Sequence, residues 1–76
     1  MNQLILPPLG EGIEKATVAF WHVKVGDRVE QHDDIVELVT DKATFHVPAG
    51  KSGIIQKILV ETGREAPIGA ALAVIE

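Results

Sequence analysis

Ile54-Ile55-Gln56-Lys57-Ile58-Leu59-Val60 is the stretch on which the fold turns. Ile54, Ile55, Ile58 and Leu59 fall at i, i+1, i+4 and i+5, the spacing of a helical face. An internal repeat decides against the helix. With Gly63 placed on Gly26, an offset of 37 residues, Val60 pairs with Val23, Ile55 with Val18, Leu72 with Ile35 and Ile75 with Leu38, without a gap. In the first copy Val18 and Phe20 alternate, and then Trp21, Val23 and Val25 alternate on the opposite parity. The second copy slips at the same place, with Ile55 before the slip and Ile58 and Val60 after it. One extra residue in a strand shifts parity in this way. The segment is therefore expected to be a bulged strand.

The rest of the chain agrees. Val and Ile together outnumber Leu by 17 to 6, and β-branched side chains suit a pleated surface. Seven Gly and four Pro punctuate the chain at short intervals, as turns between short strands require. Strands are expected over 3–6, 16–25, around Val29, 35–40, 44–47, 54–60 and 72–75, with a loop through Leu9-Gly10-Glu11-Gly12-Ile13. No Ser/Gly linker or charge run divides them, so residues 1–76 read as one domain. Two related halves of short strands predict an all-β structure with a pseudo-twofold axis, either a sandwich or a flattened barrel, which shortens exposed sheet edges.

Composition excludes several functions. The net charge of −4 disfavours a grip on phosphate backbones. The only aromatic residues are Phe20, Trp21 and Phe45, too few for a base-stacking surface. Apolar runs stay far below the ~20 residues needed to span a bilayer. Met1-Asn2-Gln3 has no basic region of the signal-peptide kind. The absence of cysteine removes disulfides, thiolate zinc sites and any redox chemistry of the polypeptide itself. With 76 residues and a thin core there is little from which to build a cleft, so no catalytic residue is assigned. His22, His32 and His46 have neither helical metal-pair spacing nor Cys partners; they read as surface histidines, and no metal site is assigned. Gly10-Glu11-Gly12 lacks the remaining features of a phosphate loop.

One feature escapes the symmetry. Lys42 moved on by 37 residues falls beyond Glu76, so the turn Thr40-Asp41-Lys42-Ala43 has no counterpart in the second half. That segment, Glu37 to Thr44 followed by Val47-Pro48-Ala49, resembles the attachment turn of lipoyl domains, whose core is Asp-Lys-Ala. Three further stretches agree in order and spacing: Leu6 to Ile13 is similar to the family's opening loop, Trp21 to Asp27 to its second strand and turn, and Gly53 to Gly63 to its second-half strand and turn. The resemblance covers the whole chain. It departs from the family pattern at His46, where an acidic residue is common.

The resemblance implies a flattened barrel of two four-stranded antiparallel sheets (a barrel-sandwich hybrid). It also implies lipoic acid joined by an amide to Lys42, with Asp41 and Ala43 as the flanks that the lipoate-attaching enzyme reads. A lysine amine with a pKa of about 10.4 is mostly protonated at neutral pH, so it needs an activated acyl donor and an unhindered position. The implied partners are a 2-oxo acid decarboxylase, an acyltransferase core and dihydrolipoamide dehydrogenase, in the bacterial cytoplasm or the mitochondrial matrix. Neither nucleic acid nor membrane is among them. Leu9, Glu11 and Ile13 are the candidate partner-recognition residues, because the family's opening loop lies near the hairpin; the alternative is that Leu9 and Ile13 turn inward and cap the core. Two other functions stay open: a biotinyl carrier, although that branch places Met on both sides of the lysine, and an unmodified β-domain serving protein interaction.

Overall fold

The computed structural model describes residues 2–76. Eight strands follow in chain order: β1 (Asn2–Ile5), β2 (Lys15–Trp21), β3 (Arg28–Val29), β4 (Asp34–Val39), β5 (Thr44–Pro48), β6 (Gly53–Ile58), β7 (Glu65–Pro67) and β8 (Ala71–Ile75). They form two four-stranded antiparallel sheets, ordered β1-β8-β6-β3 and β5-β4-β2-β7. Adding 37 residues carries β2 onto β6, β3 onto β7 and β4 onto β8. β1 and β5 then hold the same place beside β8 and β4. The expected pseudo-twofold is present strand by strand.

Packing follows the repeat. Buried side chains come in related pairs: Val18 with Ile55, Val29 with Ala66, Ile35 with Leu72, Val36 with Ala73, and Leu38 with Ile75. Among the described residues the core holds no buried polar or charged side chain, so burial of apolar area carries the sandwich without desolvating a polar side chain. The tight turns repeat too. The Gly26 N–H donates to the Ile55 carbonyl at 2.8 Å, and the Gly63 N–H donates to the Val18 carbonyl at 2.8 Å. Both glycines have positive φ, 96° and 90°, where a Cβ would meet the following backbone.

In the first copy the bulge lies upstream of the expected place, and in the second it falls within the expected interval. Pairing of β2 with β4 slips between Val18 and Phe20, and pairing of β6 with β8 slips between Ile55 and Lys57, the equivalent position. Phe20 is therefore turned outward, 54% exposed, instead of sharing the inner face with Val18. The strand expected over 16–25 ends at Trp21. A local turn draws the chain away: the Asp27 carboxylate accepts the Lys24 N–H at 3.0 Å, and the Asp27 N–H donates back to the Lys24 carbonyl at 3.0 Å. β7 was not expected. It contains Pro67, which a strand tolerates at a sheet edge, and β7 is an edge. Leu6 lies just past β1, buried, bonded through its N–H to Ala70 and through its carbonyl to Gly69, both at 2.8 Å.

Candidate functional site

The β4–β5 hairpin closes at the pair Val39 and Thr44, leaving Thr40-Asp41-Lys42-Ala43 as its turn. No Asn-Gly or Asp-Gly pair shapes it. Thr40 does so instead. Its N–H donates to the Ala43 carbonyl at 2.9 Å. Its hydroxyl donates to the same carbonyl at 3.1 Å and accepts the N–H groups of Lys42 and Ala43, each at 3.1 Å. One hydroxyl offers a single donor and two acceptor positions, and all three are used. The backbone under Lys42 is thus held by a side chain two residues earlier, a local bond of the kind Ser and Thr make in turns.

Asp41, Lys42 and Ala43 are all exposed at the tip. Lys42 enters no ion pair among the described residues, so its amine is free of a competing carboxylate. The opening loop passes beside it. A Cβ built on Gly12 would lie 3.0 Å from Lys42 Nζ. The loop is pinned at both ends, at Leu6 by the bonds already described and at Glu14, whose carbonyl accepts the Ile68 N–H at 2.9 Å. Between them Gly10 to Ile13 forms a turn, with the Ile13 N–H donating to the Gly10 carbonyl at 3.2 Å. An open groove runs between loop and hairpin, lined by Gly12, Ile13, Glu14, Val39, Thr40 and Asp41 among others.

The candidate recognition residues divide. Leu9 is half-buried and packs against the core, which is the capping role. Ile13 is half-buried and reaches back over Gly10, and Glu11 stands exposed at the turn. The loop therefore offers a charged tip on an apolar root. Sequence reasoning gave no role to Thr40, although a threonine opening a turn without glycine is a signal for this bond. It also separated histidines that the sheet unites. His46 lies directly opposite Glu37 in the β4–β5 ladder, with Nε2 3.0 Å from Glu37 Oε1. The His22 ring stacks on His46 at a centroid distance of 6.2 Å and an interplanar angle of 21°.

Comparison with known proteins bears on this geometry. The family described as "Biotin-requiring enzyme" (biotin/lipoyl) matches residues 2–75. The solution structure of the lipoyl domain of the 2-oxoglutarate dehydrogenase complex from Azotobacter vinelandii is similar over 100% of this chain and 96% of that one, with a TM-score of 0.79 and 32% identity. The dihydrolipoyllysine-residue acetyltransferase component of the pyruvate dehydrogenase complex of Staphylococcus aureus is 35% identical over 71 residues, 93% of this chain. The lipoamide acyltransferase component of the branched-chain alpha-keto acid dehydrogenase complex of Bacillus subtilis is 34% identical over all 76 residues. The chain spans only 16% and 18% of the length of these two curated relatives. A match along nearly the whole chain, with the same fold at an identity above 30%, settles the kinship: the chain belongs to the biotin/lipoyl family, as a domain of the lipoyl type.

Proposed function

We propose that this chain is a lipoyl carrier, in which Lys42 takes lipoic acid through an amide and serves the active sites of a 2-oxo acid dehydrogenase complex. The observation that carries the reading is the Lys42 amine itself: exposed, without an ionic partner among the described residues, and set on a turn that Thr40 fixes. Attachment needs an amine that a second enzyme can enclose, and a hairpin tip obstructs such an approach least. The bound group would supply reversible dithiol and acyl chemistry that a cysteine-free chain lacks. This chain's own work is to present and orient. Asp41 and Ala43, exposed on either side, are the flanks that an attaching enzyme touches first. Acylation removes one positive charge and takes the formal net from −4 to −5.

In this reading catalysis belongs to partners: a decarboxylase, an acyltransferase core and dihydrolipoamide dehydrogenase. The three relatives serve complexes named for 2-oxoglutarate, pyruvate and branched-chain acids at 32–35% identity, so kinship alone selects no 2-oxo acid. Biotin is the competing group, and Asp41 and Ala43 stand where the biotinyl branch has Met.

Intact mass tests the reading. The chain is incubated with lipoate, ATP and a lipoate-attaching enzyme, and in parallel with biotin and a biotin ligase. One lipoyl increment and no biotinyl increment are expected, with peptide mapping placing it on Lys42 and not on Lys15, Lys24, Lys51 or Lys57. Lys42→Arg should gain nothing. A Lys42→Arg chain that still gains the lipoyl mass, or a wild type that takes only biotin, would overturn it.

A further inference from the structure

We propose that His22, Glu37 and His46 form a binding site for one divalent transition-metal ion of the zinc class, on the outer face of the β5-β4-β2-β7 sheet. The three side chains each offer one ligand atom, and these atoms all lie within 4.8 Å of one another. Two imidazoles and a carboxylate are a donor set that suits zinc, copper or nickel, whereas calcium and magnesium prefer oxygen alone. Zinc bonds of about 2.0–2.1 Å place neighbouring ligands of a tetrahedron about 3.3 Å apart. His46 Nε2 and Glu37 Oε1 already stand 3.0 Å apart, so that edge is formed. The third ligand, His22, has to close a remaining gap by side-chain rotation at the surface.

The backbone supplies the preorganisation. Glu37 and His46 are direct cross-strand partners in β4 and β5. His22 follows β2 on the other side of β4, and its N–H donates to the Ile35 carbonyl at 2.9 Å. Three adjacent segments of one sheet therefore deliver the ligands. Phe20 packs edge-on against the His22 ring, with centroids 5.1 Å apart at 71°, and restricts how that ring turns. No Lys or Arg competes for Glu37: its ion-pair partner among the described residues is His46. The solvent side is open, His46 and Glu37 side chains being 49% and 32% exposed, so water completes the coordination. The site shares a hairpin with Lys42 but includes none of the turn residues, and it does not depend on whether Lys42 is modified.

Isothermal titration of the untagged, metal-stripped chain with zinc chloride tests this, together with cobalt(II) absorption as a report on coordination. Saturable binding of one ion per chain in the micromolar range is expected. His22→Ala, His46→Ala and Glu37→Gln should each weaken it by more than the roughly 10-fold that loss of even an outer partner of a metal ligand costs. His32→Ala, which alters the remaining histidine, should leave it unchanged. Melting temperatures measured without metal should match across the set, because the altered side chains are surface groups, and zinc should raise only those of wild type and His32→Ala. Absence of saturable binding below millimolar zinc would overturn the proposal. So would binding that survives the double change of His22 and His46 to alanine.

Discussion

Thr40 shows how much a single exposed hydroxyl can organise. It spends its one proton and both lone pairs within four residues, so the amides of Lys42 and Ala43 are oriented before any enzyme arrives. Thr40→Ala frees those amides to water, which replaces the bonds in part. The expected loss is about 1 kcal/mol in urea unfolding, the ordinary worth of such a bond at an accessible site. Under the proposed function the larger effect should fall on lipoylation, which would need a fixed turn. Thr40→Ser keeps the hydroxyl and should restore most of both. A rate for Thr40→Ala equal to wild type would show that the attaching enzyme moulds the turn itself. The turn that carries Lys42 was legible in the sequence because it stands outside the repeat. Thr40 was not, because a hydroxyl announces its partners only once the turn exists.

At the scale of strands, symmetry governs both what could be read and what was lost. The offset of 37 residues, taken from glycine turns and apolar positions, converted a helix-like stretch into β6 and foretold two related halves. The same offset carries Arg28-Val29 onto Glu65-Ala66, so β7 was implied, but one buried alanine beside a proline carries too little apolar signal to register alone. In the first copy the bulge was placed late because Phe20 looked like a core residue, and hydropathy says nothing of which face a large ring takes after a register slip. The histidine pair was invisible for a related reason. Spacing along one chain reveals helical neighbours, whereas ladder neighbours depend on register. Gly26 and Gly63 test the symmetry directly. A Cβ at either meets no atom within 4 Å outside its own chain neighbours, so substitution costs backbone strain alone. Gly26→Val and Gly63→Val should each lose more than about 1 kcal/mol in urea, by closely similar amounts. Unequal losses would mean that the two turns are alike in shape but not in load.

Across the whole molecule, the opening loop ties the two sheets to the lysine. It leaves β1 in one sheet, is anchored on the β7–β8 turn, and passes Lys42 before entering β2 in the other. Under the proposed function, a partner that closes over Lys42 is expected to meet this neighbouring loop, whose exposed charge is Glu11. Glu11→Ala should leave stability and lipoylation unchanged while slowing reductive acylation by the cognate decarboxylase. Leu9→Ala should instead lower stability by about 1–2 kcal/mol, since its side chain packs on the core. Unchanged acylation in the Glu11 variant would remove the loop from the recognition surface. The pseudo-twofold carries the β4–β5 hairpin onto β8 and β1, whose Ile75 and Asn2 already face each other as ladder partners. Joining the ends there with a copy of Thr-Asp-Lys-Ala, and cutting the ring at another loop, would give a circular permutant bearing two loadable arms, one on each sheet.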